Sequence, residues 1–356
     1  MIAGANVSPA ADLDGFEMLT EMVRIPSVST REAKLGTWLV DRLTALGFSA
    51  HRDAVGNVIA QRGTGSREIL LLGHMDTVPG LIPVRQEGDR LFGRGAVDAK
   101  APLAAAITAV ARQPVSTTHR CTIIAAVEEE GSSRGARQLV SRPAPAQLII
   151  LEPSGWDAIT LGYKGSMWVR YQLSQPVAHG AGPTPSAGDQ AIAFIRRVQD
   201  YALALNREKA VFDRLDVRVV QLDAGHDGLR DLATTTLGLR LPLGFDIEAL
   251  TAALHDWGGL AAVAVDHADA AVRAGKNTPL VRAFLEAIRS AGGTPRFKVK
   301  TGTSDMNILL PIWGCPALAY GPGNSALDHT PEEAIDRADF ERGVAVLSSA
   351  ITRLAG

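Results

Sequence analysis

Between residues 34 and 47 the apolar side chains Leu35, Trp38, Leu39, Leu43 and Leu46 fall on one face of a 3.6-residue repeat, and Gly47 supplies a stop. An amphipathic helix resting on a core is expected there. Three unbroken apolar runs, 69–72, 122–127 and 148–151, are too short for helices and suit strands buried on both faces. Between the first two lies the Ala-rich stretch 102–112, a helix whose small side chains permit close packing on a sheet. Strands alternating with helices predict an α/β layer architecture.

From about residue 163 to 275 the pattern changes. Strand-like runs at 167–173, 217–222, 235–241 and 262–265, with helical stretches near 189–205 and 246–257, predict a small inserted α+β layer. Thr278-Pro279 then places an N-cap residue before a proline at the first helical position, and α/β character returns. The expected domains are 1–162 with 276–356, and 163–275 between them. A length of 356 residues agrees, at roughly 150 residues per domain.

Composition narrows the function. With 46% hydrophobic residues the chain can bury full cores, and a formal net charge of −2 gives no overall basic footprint for nucleic acid. Cys121 and Cys315 are far apart in apolar surroundings and read as buried thiols. The opening MIAGANVSPAADLDGF has no basic-then-apolar leader pattern, and no run of about 18 apolar residues occurs, so a cytoplasmic protein without a membrane span is expected.

Candidate chemistry sits where the apolar runs end. The run 69–72 is followed by Gly73-His74-Met75-Asp76, with His and Asp two apart on one side of the strand. Alone, such a pair is more often a packing or turn feature. Gly93-Arg94-Gly95-Ala96-Val97-Asp98 leads an acid toward the Ala-rich helix, where Asp98 could be a simple N-cap. Glu128-Glu129-Glu130 follows the second run, and Glu152 the third. His329 stands in Asp328-His329-Thr330-Pro331-Glu332, a loop before the last helix. Together these are two histidines and several carboxylates with no thiolate, a donor set suited to catalytic zinc or a neighbouring transition metal. Carboxylates available to bridge suggest two ions about 3.5–4 Å apart.

In that order GHMDTVP, GRGAVDAK, EEEGSSRGA, LEPSG and DHTPEE resemble the metal-site motifs of the co-catalytic zinc aminoacylase, carboxypeptidase and desuccinylase family, over nearly the whole chain. The resemblance implies a mixed-sheet zinc-peptidase catalytic domain with an inserted ferredoxin-like α+β lid and dimerisation domain, working as a homodimer. It implies two Zn2+ or Co2+ ions per subunit. His74 and Glu152 would bind one, Glu130 and His329 the other, and Asp98 would bridge them. Glu129 matches the general base, and Asp76 the acid that orients His74. In the lid, His179 matches the histidine that stabilises the oxyanion in a neighbouring subunit, and Arg240 the arginine that binds a substrate carboxylate. Thr301, Gly302, Thr303 and Ser304 match a loop lining the substrate pocket. Ala101 and Gly180 depart from the usual Gly and Ser, without touching a ligand.

A finer likeness, in KTGTSDMN and WGCPALAYGPG, is to the branch that releases lysine or ornithine from the C-terminal glutamate of an acidic carrier protein, LysW. The alternative is an acetylornithine deacetylase, desuccinylase or dipeptidase using the same centre. A non-catalytic metal-binding homologue would have no need of both Asp76 and Glu129. An acidic carrier would call for a basic rim, for which Arg94, Lys100, Arg134, Arg137, Lys164, Lys298 and Lys300 are candidates, with solvated surface charge the plainer reading.

Overall fold

A computed structural model describes residues 13–355; most of the opening stretch inspected for a leader pattern lies outside them. The described chain divides into two compact units. One comprises the residues up to Gly162, Ala274–Lys298 and those from Ser304 onward, and the other Tyr163–Arg273 with Val299–Thr303.

The first unit is built on a mixed sheet. Arg67–His74 lies between His119–Ala126 and Gln147–Ile150, parallel to both, and Gln147–Ile150 continues parallel to Ala317–Ala319. Val58–Arg62 and Ser49–Arg52 extend the other side antiparallel. The apolar runs are continuous because both faces are covered, and Leu70, Leu71 and Leu72 are wholly buried. Helix Lys100–Ala111 is buried along its entire length, which its alanines allow. Where helix Gly15–Arg24 meets it, a Cβ on Gly15 would lie 2.4 Å from Thr108 Oγ1, so only glycine permits that approach. The amphipathic helix expected at 34–47 is Ala33–Ala45, with Gly47 in the left-handed region just beyond it.

A short antiparallel ribbon ties the end of the chain to its first third. Ala334–Asp336 pairs with Arg90–Phe92, which brings the residues after His329 beside the segment that leads to Asp98.

The second unit runs strand, helix, two strands, helix, strand, with sheet order Asp216–His226, Arg230–Leu241, Gly165–Pro176, Ala262–Asp269, all antiparallel. That is a ferredoxin-like α+β sandwich. Alternate residues Ala233, Leu237, Leu239 and Leu241 face helices Ala187–Leu205 and Ile247–Gly258, forming a core with Phe194, Leu250 and Leu254. Ser186 and Asp189 close a capping box on the first of these helices.

Of the two cysteines, Cys121 is buried as expected, whereas Cys315 is only partly so because it stands in the connection after helix Met306–Trp313.

Candidate metal centre

Three parallel strands end at the same sheet edge. His74 closes the first and pairs in register with Ala126, the end of the second, after which come Glu129 and Glu130. The third pairs Ile150 with Leu72, and Glu152 follows two residues later. Parallel strands that finish together gather polar groups into the crevice beyond their carboxyl ends.

The fourth contributor is Asp98, and its two oxygens are divided. Oδ1 lies 3.2 Å from His74 Nε2, and Oδ2 lies 3.1 Å from His329 Nε2. Glu152 Oε1 is 3.7 Å from the same His74 nitrogen, and Glu130 Oε1 is 2.7 Å from that of His329. Two triads result, His74–Asp98–Glu152 and Asp98–Glu130–His329, each with donor atoms within 4.8 Å of one another. Imidazole nitrogen with carboxylate oxygen and no sulfur fits divalent zinc or cobalt, and a shared carboxylate fits a pair.

Asp76 organises this corner. Burial alone would raise its carboxyl, but the hydrogen bond and charge of His74, Ser29 and the Glu130 N–H hold it below the usual carboxylate range. Oδ2 accepts from Ser29 Oγ at 2.6 Å, while His74 Nδ1 lies 3.0 Å from the Asp76 carbonyl and 3.4 Å from Oδ1. Burial disfavours a charged His74, yet Asp76 and Asp98 together raise its pKa well above the ordinary value. At Glu129 burial raises the carboxyl well above normal; His74 pulls it down, and Glu152, Glu130 and Asp305 push it further up. Glu128 is not an idle surface charge: it is buried, with φ +60°, and it accepts from Ser132 at 2.6 Å and from Arg134 at 2.8 Å.

Asp98 is not a helix cap, since Ala99 occupies that place without a side-chain bond. It is set instead by Glu333, the last residue of DHTPEE, to which the sequence reading gave no role. The Glu333 carboxylate is buried and accepts N–H groups from Gly95, Val97 and Asp98 at 2.9–3.0 Å, and Arg94 Nη1 at 2.8 Å. Its place in DHTPEE was a signal, but the antiparallel ribbon that delivers it to Asp98 was not readable.

Of the basic-rim candidates Lys100 and Lys164 are buried, Arg94, Lys298 and Lys300 are half-buried, and Arg134 and Arg137 are exposed. Lys100 is buried and donates to the carbonyls of Met22 and Ile25, with burial lowering its pKa to about 7. Lys164 is buried as well, donating to the Arg214 carbonyl and to Asp216. Arg94 is held by Glu333, Arg134 by Glu128, and Lys298 by the Ser154 carbonyl. Carbonyl acceptors leave no trace in a charge pattern, which is why these lysines read as surface.

In the second unit, His179 lies in the exposed loop between Gly165–Pro176 and Ala187–Leu205, its Nδ1 accepting the Ala181 N–H at 3.2 Å. Arg240 stands on strand Arg230–Leu241 and donates from Nη1 to Thr303 Oγ1 at 3.1 Å. Thr301 and Gly302 line a cavity of that unit together with Arg240. Ser304 belongs to the first unit, where its N–H donates to Asn307 Oδ1 at 3.0 Å.

Known proteins share both the sequence pattern and the architecture. The profile of peptidase family M20/M25/M40 matches residues 70–353. A LysW-lysine hydrolase of Deinococcus radiodurans is 44% identical over 350 residues, 96% of this chain and 97% of that one. A LysW-lysine/LysW-ornithine hydrolase of Sulfurisphaera tokodaii is 29% identical over 276 residues, 76% of this chain and 77% of that one. The crystal structure of an M20 family metallo-carboxypeptidase from Sulfolobus solfataricus shares the fold, with TM-score 0.78 at 18% identity, covering 96% of this chain and 99% of that one.

Proposed function

The chain belongs to peptidase family M20/M25/M40, and from that premise we propose that it hydrolyses the amide joining lysine or ornithine, through the α-amine, to the side chain of the C-terminal glutamate of the acidic carrier LysW. The observation that carries the chemistry is the division of Asp98 between His74 and His329. The identity of 44% to a LysW-lysine hydrolase supports the substrate.

Two zinc or cobalt ions, held by His74 and Glu152, by Glu130 and His329, and by Asp98 in common, would supply Lewis-acid polarisation of the amide carbonyl and acidify the attacking water. Glu129 does the proton work. Burial and the neighbouring Glu152 and Glu130 raise its pKa above the ordinary carboxylate range, the direction that makes it a better acceptor of a proton from water, which it then passes to the leaving amine. Asp76 fixes both His74 and the backbone that carries Glu129. His179 donates to the developing oxyanion, and Arg240 takes the α-carboxylate of the leaving amino acid, a task suited to its planar fork. Thr301 and Gly302, beside Arg240 in the cavity of the second unit, are read as substrate-contacting residues.

The working unit is a homodimer formed through the second unit. Its edge strand Asp216–His226 is exposed and carries an exposed Leu222, with Leu229 exposed at the adjoining turn. A carrier-bound biosynthetic intermediate implies a cytoplasmic reaction.

The test is release of free lysine and ornithine from LysW-linked amino acids by zinc- or cobalt-loaded protein, with N-acetyl and N-succinyl forms alongside. Release from the carrier alone, lost in Glu129→Gln, is expected. Cleavage of the small acyl forms alone would assign the protein to the deacylases.

A further inference from the structure

Past the end of strand His119–Ala126 the chain makes the turn that carries Glu129 and Glu130, and four successive backbone N–H groups there are accepted by side chains. Asn57 Oδ1 takes that of Val127 at 3.1 Å, Glu32 Oε1 takes that of Glu128 at 3.1 Å, and the two oxygens of Asp76 take the next two. All three acceptor residues are buried. Asn57 is itself fixed, its Nδ2 donating to Asp53 Oδ2 and to the Gly135 carbonyl. A Cβ on Gly135 would lie 2.5 Å from Asn57 Oδ1, so glycine keeps that approach open.

Glu32 is the unexpected member. It stands at the N-cap of helix Ala33–Ala45, where an acid ordinarily accepts an N–H of the first turn, yet its side chain makes no capping bond. The same Oε1 accepts instead the N–H of Thr30 at 3.0 Å together with that of Glu128. Thr30, at φ +74°, and Glu128, at φ +60°, both lie in the left-handed region, which side chains disfavour and β-branched ones most of all. One oxygen therefore holds two strained turns. The strap that bears it is anchored on the segment carrying Asp76. Ser27 Oγ donates to the Met75 carbonyl at 2.7 Å and Ser29 Oγ to Asp76 Oδ2, while the Thr77 N–H donates to the Ser27 carbonyl and the Thr77 carbonyl accepts the Ser29 N–H.

We infer that Glu32 is a positioning residue for the proton-transfer step: by keeping Glu128 in its left-handed turn it fixes the backbone direction from which the Glu129 side chain leaves. The inference rests on the amide-hydrolase reading, in which Glu129 moves the proton, and adds to it a residue outside every metal-site motif. Backbone strain of this kind persists only where the surrounding bonds over-determine it, and it gathers at sites that need exact placement. What Glu32 supplies is reach rather than charge, since a single oxygen serves both N–H groups and an amide carbonyl oxygen in its place would serve them too. Misplacing a reacting group by about 1 Å costs about 10²-fold in rate, which sets the scale of the effect.

The test compares Glu32→Gln, which keeps the acceptor oxygen and loses the charge, with Glu32→Asp, which keeps the charge and withdraws the oxygen by one methylene. On zinc-loaded protein with LysW-linked lysine, Glu32→Asp should lower kcat about 10–100-fold with KM and metal content unchanged, while Glu32→Gln stays within about threefold of wild type. Thr30→Gly relieves strain at an exposed position; added to Glu32→Asp, it should restore the melting temperature but not kcat. An unchanged kcat in Glu32→Asp, equal losses in the two variants, or recovery of kcat along with the melting temperature would overturn the inference. Hydrogen exchange of the zinc-loaded proteins separates it from the hydrolase reading. The amides of Val127 to Glu130 should exchange about tenfold faster in Glu32→Asp than in wild type or Glu32→Gln, with those of helix Pro279–Ser290 unchanged. If wild type cleaves no amide yet this contrast appears, the positioning of the turn stands and the hydrolase reading falls. If wild type turns over and the three proteins exchange alike, the hydrolase reading stands and the positioning falls.

Discussion

Asp76 holds Glu129 by its backbone: Asp76 Oδ1 accepts the Glu129 N–H at 3.0 Å, while Oδ2 accepts that of Glu130 at the same distance. One carboxylate so fixes the proposed base and a proposed ligand. Asp76→Asn keeps the shape but offers a single acceptor oxygen. Zinc affinity and kcat should both fall 10–100-fold, the usual effect of losing a partner behind the ligands. A competitive titration against a chromogenic chelator reads the first, and unchanged affinity would refute the role.

Glu129→Gln separates chemistry from metal binding. Turnover should drop about 10²–10⁴-fold, while metal content stays at two ions per chain. Loss of an ion with the activity would make Glu129 a ligand instead.

Metal uptake should expel protons. Hydrogen bonds that His329 donates to Asp98 and Glu130 push its pKa up to about 10, and a ligating imidazole must be neutral. Below that pH, affinity should rise about tenfold per pH unit for each proton released, measurable by calorimetry in buffers of different ionisation heat. For the metal-free protein the sign is opposite. The pairing of charged His329 with its carboxylates stabilises the fold fully below the unfolded value near 6.5 and is lost as pH rises through about 10. Chelation should therefore lower the melting temperature more at pH 9 than at pH 7.

Glu333→Ala removes the acceptor of three backbone N–H groups and strands Arg94. Removing one partner of a buried pair costs about 3–5 kcal/mol, so the urea midpoint of the first unit should fall sharply. Glu333→Gln should recover part of it.

Burial pushes the Cys121 thiol up to about 12. A thiol-reactive dye at pH 8 should leave it unlabelled until the protein unfolds, as mass spectrometry of the labelled peptide would show.

The sequence was most legible where one physical cause dominated. Continuous apolar runs at 69–72, 122–127 and 148–151 are strands because both faces are covered, and Thr278-Pro279 caps helix Pro279–Ser290 as its chemistry requires. The clustering of His74, Asp98, Glu130, Glu152 and His329 was suggested by motif order, since strand ends that fall together in space are spaced widely in sequence. What escaped depended on closure. Glu333 meets Asp98 only through a ribbon joining residues 235 apart, and the segment Val299–Thr303 packs with the second unit although its neighbours belong to the first. Lys100 and Lys164 were misread because a charge buried against carbonyls looks like any other lysine in one dimension.

The cores of the two units have no member in common. Each unit answers for its own packing, and substitutions accumulate under different rules. Around helix Lys100–Ala111, where every residue is buried, almost any enlargement disturbs the ground on which Asp98 stands. The outer sheet face of the second unit, with its exposed Arg218 and with Gly238, where a Cβ would make only ordinary contacts, imposes no such veto. Substitutions on that face can therefore accumulate without reaching the packing beneath the hydrolytic centre.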